Sequence, residues 1–165
     1  MKQISVPPGA LKFRLVMTVI LVIIFMLVFF NYTHRISVAI ERTSIQQTKN
    51  IINSTLTVVF ASYAVKGELE HLNELNGANP FEYLEIYSLL PATYRGDIGV
   101  DQSGDNTSGW YYDEENGLAI YKPLYDDKDY YFRIELDFRD VDGSGRFEPA
   151  IDQYRRLNFR QLPRQ

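Results

Sequence analysis

The feature that most constrains this chain is an uncharged apolar run from Leu15 to Phe30, whose only polar side chain is Thr18. A helix on the surface of a soluble protein keeps one polar face, whereas this run is apolar on every side. Its length approaches the ~20 residues that an α-helix needs to cross a bilayer. The sequence therefore predicts a transmembrane helix over residues 15–32, with the lipid bilayer around it.

The charges beside this run predict its orientation. Lys2, Lys12 and Arg14 precede it, and basic residues close to a span stay on the cytoplasmic side. We therefore expect residues 1–14 to form a cytoplasmic tail and the chain after the span to lie in the periplasm. This arrangement makes the protein a single-pass protein of the inner membrane.

The alternative is a cleaved signal peptide, for which Ser37 and Ala39 are small residues at suitable offsets. The apolar run is longer than a usual signal core, and Arg35 lies between it and the candidate site. These two features favour an uncleaved anchor. Under either interpretation the folded part of the chain leaves the cytoplasm.

Composition excludes several classes of function. The chain has no cysteine, which rules out disulfides, thiol catalysis and thiolate metal sites. From Asn79 to Gln165 there are ten Lys and Arg against seventeen Asp and Glu, a balance of −7, which argues against a nucleic-acid partner. The sequence contains no Ser-His-acid set, phosphate loop or cofactor fingerprint, and we therefore do not expect an enzyme.

Residues 33–77 are predicted to form a periplasmic amphipathic stalk helix that ends at Asn76 and Gly77. Its apolar positions recur with helical spacing and shift around Gly67. They are Ile45, Ile52, Leu56, Val59 and Tyr63, then Val58, Val65, Leu69 and Leu72. We expect the part near Val59–Leu72 to pack on the head, and the part near Ile45 to meet a partner helix, as in a coiled coil.

Residues 78–165 are predicted to form an α+β head. A short helix is expected over Phe81–Leu90, followed by a loop from Tyr94 to Gly109. Two apolar runs around the turn at Asn116-Gly117 indicate a hairpin, and Tyr130–Arg139 alternates strictly between apolar and polar residues. A last strand is expected over Tyr154–Leu162. The predicted fold is a long N-terminal helix packed on a small antiparallel β-sheet.

This plan, with the local sequences of the head, resembles that of type IV pilins and pseudopilins. The passages Asn79-Pro80-Phe81, Leu90-Pro91 and Tyr94-Arg95-Gly96 are similar to one segment of minor pilin-like proteins. Gly109–Asp113, with the Gly117–Tyr121 segment, is similar to the hairpin that follows it. Within this group the chain most resembles accessory biogenesis proteins of the mannose-sensitive haemagglutinin (MSHA) pilus.

The resemblance implies a pilin-like protein that acts in type IV pilus assembly, with pilins and inner-membrane assembly proteins as partners. The N-terminal region departs from the pattern of true prepilins. If Gly9 were the cleavage residue, the fifth mature position would hold Arg14 in place of glutamate. We therefore expect the prepilin peptidase not to process this chain, and the protein to remain in the membrane.

One stretch of the head resembles a calcium loop. Asp140, Asp142 and Ser144 occupy positions 1, 3 and 5 of an EF-hand pattern, with glycine at position 6, but Ile151 replaces the closing acid. The candidate ligand positions are Asp140, Asp142, Ser144, Arg146, Glu148 and Asp152. The alternative is a turn between two strands, for which Asp-Gly and Ser-Gly are equally suitable. No other cofactor is expected.

The acidic Asp126–Asp129 stretch is expected to be a solvated loop, and Trp110 with its neighbouring tyrosines to lie in the core and not to stack a sugar. As an alternative to pilus assembly, the chain is a membrane-anchored binding module with a calcium-responsive loop, or a general scaffold.

Overall fold

The computed structural model describes residues 8–98 and 107–163, and its elements are consistent with an α+β chain. They are α1 (Pro8–Lys66), a 3₁₀ helix (Leu69–Leu75), α2 (Pro80–Ile86), β1 (Tyr94–Asp97), β2 (Gly109–Asp113), β3 (Leu118–Lys122), β4 (Tyr130–Arg139) and β5 (Gln153–Gln161). The chain divides into two compact units, residues 1–40 and residues 41–165.

The first unit contains the N-terminal part of α1. From Phe13 to Tyr32 the large apolar side chains are exposed, and the most apolar window of the helix reaches a mean hydropathy of 2.9. No part of that window is buried within the protein. Among the described residues, one helix, near the N-terminus, is thus long and apolar enough to cross a membrane.

In the second unit, the sheet has five strands in the order β1-β2-β3-β4-β5. β2 to β5 form an antiparallel meander, whereas β1 pairs with β2 in parallel. The prediction of a purely antiparallel sheet is therefore wrong at β1, which lies within the Tyr94–Gly109 segment expected to be a loop. Part of that segment, residues 99–106, lies outside the described residues.

The predicted stalk helix ends earlier than expected. α1 stops at Lys66, where Gly67 adopts a φ of 75°, the left-handed conformation that closes many helices. The chain then continues as the 3₁₀ helix, in which Leu72 and Leu75 are fully buried. The predicted helix over Phe81–Leu90 is likewise shorter and ends at Ile86.

One face of α1 covers the sheet. Ile45, Ile52, Leu56 and Val59 belong to the same buried cluster as the inward side chains of β4 and β5. The buried inward side chains there are Phe132, Ile134, Leu157 and Phe159. The burial of apolar surface, which contributes about 25 cal/mol per Å², holds the helix to the sheet.

Two expectations about that helix are wrong. Ile45, the position expected to meet a partner helix, lies buried in the head core. Val65, expected to pack on the head, is 89% exposed, and Val58 is about half exposed. The sheet is covered by the face centred on Ile52, and the Val58 and Val65 positions face elsewhere.

Polar side chains of α1 also bind the sheet. The Glu41 carboxylate accepts hydrogen bonds from the Tyr121 hydroxyl at 3.1 Å and from the backbone N–H groups of Leu124 (2.7 Å) and Tyr125 (3.2 Å). The Asn53 side chain accepts the N–H of Phe159 at 2.8 Å. These bonds satisfy backbone donors where the ladder does not reach.

Candidate functional site

The connection between β4 and β5, residues 140–152, contains the predicted calcium ligands. One carboxylate oxygen from each of Asp140, Asp142 and Asp152 lies within 4.8 Å of the others. Asp140 and Asp142 are exposed, whereas Asp152 is 9% exposed. The structure therefore brings together three of the six candidate ligands, including the aspartate that the EF-hand pattern places one residue late.

Backbone amides of the loop are hydrogen-bonded to these carboxylates. Asp140 accepts the N–H groups of Gly143 at 2.7 Å and of Gly145 at 2.8 Å, and both glycines have a φ above 70°. Asp152 accepts the N–H groups of Val141 and Glu148, each at 2.9 Å. The two aspartates thus fold the connection into a compact turn.

Asp142 accepts the backbone N–H of Ser144 at 3.1 Å. This hydrogen bond stabilises the ionised form and lowers the pKa of the Asp142 carboxyl below its ordinary value. A carboxylate oxygen has two acceptor lone pairs, so that one N–H does not exhaust it. The three groups therefore keep acceptor capacity toward a cation.

Of the other candidate ligands, Ser144 bonds Asp142 through its backbone N–H, and Glu148 lies outside the carboxylate cluster. The Ser144 hydroxyl donates to the carbonyl of Arg146 at 3.0 Å and accepts its N–H at 3.3 Å. The side chains of Arg146 and Glu148 are exposed. The described contacts support the tight-turn interpretation and leave calcium binding a prediction.

Phe147, at position 8 of the loop, fixes the loop to the head. Its side chain is buried and makes edge-to-face contacts with Phe138 and Tyr154, at centroid distances of 5.5 and 6.5 Å. Its backbone exchanges two hydrogen bonds with the side chain of Asn73 in the 3₁₀ helix. No spacing pattern points to Asn73, which lies 74 residues away along the chain.

The wet face of β4 and β5 carries a second polar site, a groove of about 490 Å³. Glu135 pairs with Arg160 at 3.4 Å, and a bulge lets both Arg155 and Arg156 reach Asp137, at 3.7 and 3.3 Å. These ion pairs are exposed and individually weak. Their arginines make this face less acidic than the head as a whole.

An aromatic cluster joins the passages that carry the pilin resemblance. The Asn79 side chain accepts the N–H of Phe81 at 3.0 Å and caps α2, which places the Phe81 ring between those of Tyr94 and Trp110. Trp110 is fully buried, which confirms the prediction that it belongs to the core. Burial raises the pKa of Tyr94, whose hydroxyl donates to Asp97 at 2.7 Å.

The acidic stretch before β4 fits its expected role as a loop. Asp127 and Lys128 are exposed, and Asp126 accepts the Tyr130 hydroxyl at 2.8 Å.

Comparison with known proteins finds no relative: no protein-family model, no curated protein and no solved structure matches this chain.

Proposed function

We propose that this chain is a membrane-anchored, pilin-like accessory protein of type IV pilus biogenesis, of the MSHA type. In this proposal the apolar segment of α1 spans the inner membrane once, with residues 1–14 in the cytoplasm and the sheet domain in the periplasm. The protein acts by recognition. Its helix and head contact pilins and inner-membrane assembly proteins, and it catalyses no reaction.

The observation that carries the proposal is the packing of Ile52, Leu56 and Val59 of α1 on the sheet residues Phe132 and Phe159. A single helix that is apolar at one end and buries a face against an antiparallel meander at the other is the plan of pilin-like proteins. The aromatic contacts of Phe81 support the same proposal, because they bring the separate resembling passages into one cluster.

The proposal includes retention of the N-terminal segment. Lys12 and Arg14 place charges where a processed pilin is apolar or acidic. The full chain is therefore expected to keep the bond between Gly9 and Ala10 in cells that contain an active prepilin peptidase. Intact-mass measurement tests this, and a new amino terminus at Ala10 would contradict it.

The function itself is tested by deletion and capture. Deletion is expected to reduce surface pili, and the wild-type chain is expected to restore them. An affinity-tagged chain, cross-linked in intact cells, should capture pilin or an inner-membrane assembly protein. Normal piliation after deletion, together with capture of neither, would contradict the proposal. A Glu114→Gln variant, altered at an exposed turn, is the matched control for both measurements.

A second candidate function is cation binding by the 140–152 loop, favoured by the convergence of Asp140, Asp142 and Asp152 within 4.8 Å. Calcium prefers such carboxylate oxygens. Calorimetric titration with calcium should then give heat that Asp142→Asn abolishes and Asp127→Asn, at an exposed loop position, leaves unchanged. A titration of the wild-type chain without heat below millimolar calcium would remove this candidate.

A further inference from the structure

A second apolar stripe runs along α1, roughly a third of a turn from the face that covers the sheet. Ile51, Val58 and Val65 are spaced by seven residues and are 39%, 51% and 89% exposed. Ser54 and Ala61 lie between them and are also exposed. This spacing is a heptad pattern, with β-branched residues at a and small residues at d.

The stripe forms one wall of a groove. Ile51 and Val58 face Tyr87 and Leu89, which follow α2, across a space of about 350 Å³. Ser88 adopts a φ of 56°, a conformation that is unfavourable for a residue with a side chain. Tyr87 and Leu89, on either side of Ser88, are exposed beside the helix.

Charge indicates what this stripe pairs with. From Asn50 to Val65 the chain has no charged residue, although 23% of all its residues are Asp, Glu, Lys or Arg. In a parallel pair of identical helices the a and d positions face their own equivalents, and a charged residue there would face a like charge. A neutral stripe with neutral flanks is therefore matched to a copy of itself, whereas a charged partner would find no complement.

The anchor fixes the orientation of such a pair. Two copies inserted in one membrane with the same topology project residues 41–165 on the same side, so that their helices run parallel. Tethering in the bilayer also raises the effective concentration of one stripe near another. In parallel coiled coils, β-branched residues at a favour two strands. Ser54 and Ala61 at d let the two backbones approach closely.

We propose that residues 51–65 of α1 pair in parallel with the same residues of a second copy of this chain, with Ile51, Val58 and Val65 along the seam. Tyr87 and Leu89 of each copy flank the seam and cover its edge. This pairing rests on the proposed membrane anchorage. It uses a helix face that the head core leaves exposed, so both contacts coexist.

The chain has no cysteine, which makes single-cysteine cross-linking direct. Cysteine is placed at Ile51, Ser54 or Val58 in the full chain, and membranes are oxidised. A disulfide forms only where Cβ atoms approach to about 4 Å, which restricts it to seam positions. The expected result is a shift from 19.2 kDa to twice that mass on a non-reducing gel. Cysteine at Gln46 or Glu114, both exposed and away from the seam, is expected to remain monomeric.

A second variant tests the contact itself. Val58→Lys opposes two lysines at an a position and is expected to abolish the cross-link of Ile51→Cys. Since Val58 is half exposed, circular dichroism should show an unchanged head. Equal cross-linking at seam and control positions would overturn the pairing. Cross-linked products that never have twice the mass of the chain would also overturn it.

Alkaline carbonate extraction of the same membranes tests the anchorage separately. Loss of the chain to the soluble fraction would contradict the proposed function. Retention in the membrane without any preference for the seam positions would overturn the pairing alone.

Discussion

The side chain of Asn73 and the backbone of Phe147 exchange two hydrogen bonds: the Asn73 amide donates to the Phe147 carbonyl at 2.8 Å and its oxygen accepts the Phe147 N–H at 2.9 Å. The side chain thereby replaces a strand partner for one residue of the β4–β5 loop. This pair connects the 3₁₀ helix to the loop that holds the three clustered aspartates.

Replacing Asn73 should loosen that loop. Asn73→Asp keeps the acceptor and loses the donor, which leaves the carbonyl of the buried residue Phe147 facing a carboxylate. We expect the free energy of unfolding to fall by about 1–3 kcal/mol, since a buried polar group loses its partner. Denaturant unfolding of the detergent-solubilised chain measures this. Asn76→Ala, at an exposed neighbouring position, is the control, and an equal loss in both variants would contradict the assigned role.

Glu41, at the other end of the sheet, should contribute as much to the free energy of unfolding as Asn73 does. Its carboxylate accepts three hydrogen bonds, and Glu41→Gln replaces one acceptor oxygen with a donor that faces N–H or O–H groups. We expect a loss of about 1–3 kcal/mol and faster hydrogen exchange of the Leu124 and Tyr125 amides. Glu115→Gln, in the exposed β2–β3 turn, should leave both unchanged. Unaltered exchange of the two amides in Glu41→Gln would show that the contact is not maintained.

Alkaline pH should destabilise the head through its partly buried tyrosines. Burial raises the pKa of Tyr83 from 10.0 to about 12. The folded state therefore holds the phenol proton more tightly than the unfolded state, so that this stabilisation is present below pH 10 and is lost as pH rises from 10 towards 12. Tyr83→Phe should make the decline in stability shallower over that interval. Equal slopes in Tyr83→Phe and in the wild-type chain would contradict the prediction.

Periodicity predicted the long elements well because burial of one face dictates it. The strict alternation of Tyr130–Arg139 gives β4 with the bounds observed, and Leu157 and Phe159 identify the inward face of β5. The end of α1 could not be predicted in the same way. A 3₁₀ helix places residues i and i+3 on one side, so that Leu69, Leu72 and Leu75 continue an apolar pattern after the α-helix has ended at Lys66.

Two other features are not encoded locally. β1 is a four-residue strand whose parallel pairing with β2 uses backbone groups, and its burial alternates too briefly to distinguish it from a loop. For the candidate site, the EF-hand pattern singled out Asp140, Asp142 and the late Asp152, because that pattern requires only side-chain oxygens at alternate residues of a turn. It did not identify Asn73 as their support, since a contact between distant residues leaves no trace in spacing.

The two stripes of α1 should differ sharply in their effect on stability. Leu56 is fully buried against the sheet, and Leu56→Ala is expected to lower the free energy of unfolding by about 2–5 kcal/mol through lost burial and a cavity. Val65 is exposed in the single chain, so that Val65→Ala should change it by no more than about 0.5 kcal/mol when unfolding is followed at concentrations where the chain is monomeric. Denaturant titrations of the two full-length variants in detergent make the comparison. Comparable losses at both positions would mean that the sheet is covered by a different face of α1, and the pilin-like packing on which the proposed function rests would then be wrong.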